Sequence, residues 1–166
     1  EYNLQYIHNG ENGQILSTQV SWMPKSWQFS LAYSRLFDTG RFLFPKELGR
    51  DRFYTSIPRS RMEGLGNADV LVLKTQKIFP DSGLQVLLEL QSIYGPSIDD
   101  FRFNKYNKDE TIQFNTNITW DGGNLLKGLN FEGLFVFRYN QNTSTNDVIF
   151  NKSNFIQLNV MTYYNF

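Results

Sequence analysis

The chain has 166 residues, enough for one domain with a sizeable core, and its 16 Lys and Arg balance its 16 Asp and Glu. That balance leaves no overall electrostatic pull toward nucleic acid or anionic lipid. With no cysteine present, thiol catalysis, thiolate metal sites and disulfides are excluded.

Eight segments alternate with period two and are expected as strands near 2–7, 14–23, 27–36, 67–79, 84–94, 111–120, 129–139 and 155–166. One parity of each is apolar. It carries Leu16, Val20 and Trp22, then Trp27, Phe29, Leu31 and Tyr33, then Leu71, Leu73 and Phe79. It continues through Val86, Leu88 and Leu90, then Ile112, Phe114 and Ile118, then Phe131, Phe135 and Phe137. The other parity carries Ser17, Gln19, Ser30, Lys74, Glu89, Gln91, Gln113, Asn115, Glu132 and Arg138. One apolar and one amide- and hydroxyl-rich face on strand after strand is what a water-filled barrel in lipid requires. The longest apolar runs, such as Val70-Leu71-Val72-Leu73, fall far below the ~18 residues of a membrane helix. Arg35 and Lys77 fall on the apolar parity, both near strand ends, where snorkelling or a bulge would accommodate a charge.

The connections alternate too. Pro24-Lys25-Ser26, Pro80 to Gly83 and Asp121 to Gly128 are short and rich in turn residues. Residues 8–13, 37–66, 95–110 and 140–154 are the other connections, three of them long and polar. Short periplasmic turns and long external loops are the barrel arrangement. Aromatics cluster at the strand ends, where amphipathic rings favour the headgroup level. The last strand alternates from Ile156 through Tyr164 to Phe166, an aromatic ending of the kind read as an assembly signal in outer-membrane barrels. Glu1 follows no initiator Met, basic region or apolar leader, and segment 2–7 is too short to span a bilayer. The chain is therefore expected to be the C-terminal part of a single, longer barrel domain.

Catalysis has little to work with. The one histidine, His8, stands beside Asn9 and Gly10 and reads as a solvated turn residue, neither metal ligand nor triad member. Asp99-Asp100 and Asp109-Glu110 flank one loop with the oxygen chemistry that calcium takes, although acidic loop residues are ordinarily solvated. No catalytic residue, metal or cofactor is expected.

Loop 37–66 is the exception to the simple connections. About 30 residues without regular periodicity must be functional or disordered, and interleaved aromatics and prolines argue against disorder. It reads Phe44-Pro45-Lys46-Glu47-Leu48-Gly49-Arg50-Asp51, then Phe53-Tyr54-Thr55, then Pro58-Arg59-Ser60-Arg61-Met62-Glu63-Gly64. This resembles the OprD family of outer-membrane channels, whose stretch reads much like Phe-Pro-Arg-Glu-Trp-Gly-Arg-Asp, Phe-Tyr-Thr and Pro-Arg-x-Arg-x-Glu-Gly. Lys46 and Leu48 depart from its usual Arg and Trp. The resemblance implies an eighteen-stranded monomeric-type barrel that admits small solutes, often carboxylates, past an arginine-rich constriction. By match, Arg50, Arg59, Arg61 and Glu63 would line it. Guanidinium groups bind carboxylate bidentately and would favour small anions in a confined pore; the alternative is that they brace the loop against Glu47, Asp51 and Glu63. On the wall, Lys74 and Arg138 are expected to face inward, opposed by Glu89 and Glu132.

The expected function is thus a porin in the outer membrane of a Gram-negative bacterium, passing small hydrophilic solutes. Its partners would be outer-membrane lipid, lipopolysaccharide, a small-molecule solute and the barrel-assembly machinery, with no nucleic acid. The alternatives are a small outer-membrane barrel with lipid-directed enzyme activity, and a structural or assembly barrel with a plugged lumen.

Overall fold

The computed structural model describes residues 12–43, 52–123, 126–141 and 154–165. They form an all-β architecture with no helix among the described residues. Seven strands run up and down in one antiparallel sheet: β1 Ile15–Trp22, β2 Trp27–Leu36, β3 Ala68–Phe79, β4 Leu84–Tyr94, β5 Thr111–Trp120, β6 Leu129–Asn140 and β7 Phe155–Tyr164. Each strand pairs with its neighbours in sequence, and among the described residues β1 and β7 do not meet, so the sheet is not closed. The expected segment 2–7 lies outside the described residues.

Turn chemistry sets the short connections. Gly83 holds φ +67, and a Cβ there would collide with the Asp121 side chain of the adjoining turn, so only glycine fits. A Cβ on Gly128, at φ +88, would likewise collide with the Asn165 carbonyl. Short turns fix register, and a one-residue slip would transfer every side chain to the opposite face.

The two faces are inverted relative to a soluble sheet. Val20, Leu31, Leu73, Leu90, Phe114, Phe137 and Ile156 lie partner to partner in one row across all seven strands. Most of this row is solvent-exposed: Val20 is 73% accessible, Ile156 70% and Leu73 49%. On the reverse face, Gln113 and Asn115 are 0% accessible. A soluble β-sandwich would bury the first set and wet the second.

What covers the polar face is the chain itself. The connection between β2 and β3 folds back across it, and Ile57, Met62 and Leu65 pack onto Leu36, Val70, Val72 and Ile93, with Phe42 and Phe53 partly buried beside them. This small apolar core differs from the uniformly polar inner face expected from the alternation. Leu36, Val70, Val72 and Ile93 share the inner parity with Lys74 and Gln91, but sit at the strand ends from which the loop departs and are dry beneath it.

The two misplaced charges are accommodated without a bulge, since β2 and β3 pair in unbroken register. Arg35 Nη1 meets Asp69 Oδ2 at 2.7 Å, and Arg35 Nη2 donates to Asn67 Oδ1 at 2.7 Å. Lys77 Nζ donates to Ser26 Oγ at 2.6 Å and lies 4.7 Å from the centroid of the Trp27 ring.

Candidate functional site

Residues 54–59 cross the inner face almost strand by strand. Tyr54 N donates to Ser17 Oγ on β1 at 3.2 Å, and the Thr55 and Ser34 hydroxyls meet at 2.7 Å on β2. Lys74 Nζ on β3 is 3.5 Å from the Ser56 carbonyl, and Gln91 Nε2 on β4 donates to the Thr55 carbonyl at 2.7 Å. On β5, Gln113 Nε2 and Asn115 Nδ2 both donate to the Pro58 carbonyl, at 2.7 and 3.0 Å. Arg138 Nη2 on β6 donates to the Arg59 carbonyl. The segment is a strap, held by wall side chains that take up its main-chain carbonyls.

Gln91, Gln113 and Arg138 occupy one cross-strand row. Their spacing follows the ladder, so a strap running perpendicular to the strands finds donors at regular intervals. Gln91, Gln113 and Asn115 read in the sequence as a wetted wall; nothing in the alternation marks them as ligands of a segment 36 to 57 residues away.

A second loop anchors the root of the strap. Gly66 N donates to the Phe103 carbonyl at 2.7 Å, and Lys105 N to the Gly64 carbonyl at 2.9 Å. Buried Asn104 braces that loop, accepting from Lys108 N and donating to the Lys108 carbonyl, each at 2.7 Å. Lys108 Nζ donates to the Arg61 carbonyl. Asp100 Oδ1 and Asp109 Oδ1 accept backbone N–H groups of Arg102 and Glu110, and no cluster of three metal-ligating side chains occurs among the described residues.

The strap turns at Ile57-Pro58-Arg59-Ser60, where Ser60 N donates to the Ile57 carbonyl at 3.2 Å and Arg59 takes φ +65. Proline at the second position and positive φ at the third are the marks of a type II turn, in which glycine or asparagine is the usual third residue. Holding arginine there costs about 1–3 kcal/mol, which the surrounding hydrogen bonds must offset.

Beside this turn lies a cleft of about 430 Å³ bounded by Pro58, Arg59, Ser60 and Arg61 of the strap and by Asn117, Glu132 and Leu134 of β5 and β6. Arg59 and Arg61 are exposed at it, and among the described residues neither makes an ion pair. Glu132 faces them from the wall. A smaller polar cleft of about 260 Å³ lies on the inner face among Gln19, Gln28, Ser30, Lys74, Gln76 and Glu89.

The expected site residues therefore separate. Arg59, Arg61 and Glu132 converge on one cleft. Lys74 and Glu89 face each other across β3 and β4 at 3.5 Å and line the other. Arg138 is buried against Gln113, the Arg59 carbonyl and the Phe155 ring. Glu63 accepts from the Tyr106 hydroxyl at 3.4 Å, away from the cleft. Tyr164 is exposed at the end of β7. Arg50, Phe166, and His8 lie outside the described residues, as do Glu47 and Asp51. No helix among the described residues is long and apolar enough to cross a membrane. Comparison of the chain with protein-family models, with curated proteins and with solved structures finds no match.

Proposed function

We propose that the chain forms part of an outer-membrane channel of a Gram-negative bacterium, through which small hydrophilic solutes diffuse, carboxylates among them. The observation that carries this reading is the inversion of the sheet: an uncovered apolar row across seven strands, with the polar face turned onto the strap. Lipid is the solvent that makes such a face stable, provided that the sheet closes and leaves no unpaired edge. The resemblance of the strap region to the OprD channels supports the same reading.

Closure has a parity requirement. In a seven-strand meander β1 and β7 run in the same direction, so an all-antiparallel barrel needs an odd number of further strands. An eighteen-stranded barrel meets this, since eighteen less seven leaves eleven. Within it the strap would narrow the lumen, and Arg59 and Arg61 would give the narrowing an anion-attracting rim opposite Glu132.

A plugged structural barrel is the second reading, favoured by the apolar seal of Ile57, Met62 and Leu65 against the wall. Reconstituting the full-length protein in planar bilayers separates the two. The channel reading expects discrete conductance steps; silent, correctly assembled protein would support the plug.

A further inference from the structure

Arg138 reads in the sequence as a pore-lining charge, but its surroundings describe a different task. It is 6% accessible. Its Nε donates to Gln113 Oε1 at 2.9 Å, its Nη2 donates to the Arg59 carbonyl, and its guanidinium carbon lies 4.7 Å from the Phe155 ring centroid. A planar, multi-donor cation stacked on an aromatic ring has little freedom, and two of its donors are committed to the Gln113 amide and the Arg59 carbonyl. We propose that Arg138 is a positioning residue, fixing the turn that presents Arg59 to the cleft without itself meeting solute. The significance of the cleft rests on the channel reading; the positioning role does not.

Two features make such a device necessary. Arg59 occupies a positive-φ conformation that arginine disfavours, so the turn would relax unless its carbonyls were held. The Pro58 and Arg59 carbonyls take their donors from β5 and β6, and Gln113 links the two, since its Nε2 binds Pro58 while its Oε1 accepts from Arg138. Lys108 treats the Arg61 carbonyl in the same way from the neighbouring loop. Each exposed arginine at the cleft thus has a buried cation on its own main-chain oxygen.

These 166 residues hold no cysteine, so with any cysteine elsewhere in the full-length protein replaced by Ser, one introduced thiol reports alone. Ser60 is 7% accessible and its Oγ has no hydrogen-bond partner among the described residues, so Ser60→Cys is a near-isosteric reporter beside Arg59. In the full-length protein, labelling of that cysteine by a water-soluble thiol reagent is expected to run about tenfold faster with Arg138→Met, as local opening of the strap becomes more populated. Arg138→Lys, which keeps one donor, is expected to fall between Met and wild type. Should Arg138→Met not assemble, Arg138→Gln removes the charge and the reach while keeping a polar amide for the buried partners. Unchanged labelling with a shifted cation-to-anion permeability would overturn the proposal and make Arg138 a solute contact. Faster labelling in a protein without conductance would retain the positioning role and dispose of the channel reading.

Discussion

Gln113 Nε2 donates to the Pro58 carbonyl at 2.7 Å although 55 residues separate them in sequence. The bond ties the middle of a long connection to β5. Gln113→Leu would leave that carbonyl with the Asn115 bond alone and would also remove the acceptor of Arg138 Nε. The cost of disturbing buried polar partners is about 1–3 kcal/mol. The strap should then be cleaved by protease roughly tenfold faster under native conditions, with the strands still protected. Cleavage at the wild-type rate would show that Gln113 does not hold the strap.

Half-buried Lys74 and buried Glu89 form a cross-strand pair at 3.5 Å, and Glu89 Oε2 has no hydrogen-bond partner among the described residues. Lys74→Met would strand the carboxylate and is expected to cost about 3–5 kcal/mol. Lys74→Met with Glu89→Leu should recover most of that loss, because the desolvation of both ions disappears together. Thermal unfolding in detergent across the double-mutant cycle reads the coupling; additive effects would mean that the pair is solvated.

The two parities should respond to charge in opposite ways. Phe135 lies on the apolar face, paired with Thr116 and Leu158, and Phe135→Arg should cost about 2–4 kcal/mol if that face meets hydrocarbon. Glu132, on the inner face at the cleft, should tolerate Glu132→Gln while the cation-to-anion permeability ratio moves toward anions. Folding stability in lipid vesicles and reversal potentials measure the two effects. The reverse pattern would invert the assignment of the faces.

Arg59 and Arg61 should favour anions entering the cleft. Replacing both with Gln is expected to lower uptake of a small carboxylate about tenfold, the scale of one charge-assisted hydrogen bond, and to spare a neutral sugar of similar size. The difference should shrink at 1 M salt, where the screening length falls from about 8 Å to about 3 Å. Equal loss of both solutes would point instead to collapse of the turn.

Much of the sheet is legible in the residues themselves. Period-two alternation places the strand from Trp27 to Leu36, the turn at Pro80 to Gly83 places the hairpin of β3 and β4, and both follow from local rules of side-chain direction and turn geometry. The same alternation sorts Leu73 to one face and Lys74 to the other, because adjacent side chains in a strand must diverge. It is silent on what covers each face. Val72 and Gln91 become buried, Arg138 becomes a clamp, and Arg59 and Arg61 share a cleft with Glu132 only because the strap crosses the strands at right angles to the chain's own periodicity. Those contacts join residues tens of positions apart through single side-chain hydrogen bonds to carbonyls, and a carbonyl is the same on every residue. Sequence therefore determined the two-faced sheet; only the tertiary structure decided which polar side chains hold the strap and which remain open at the cleft.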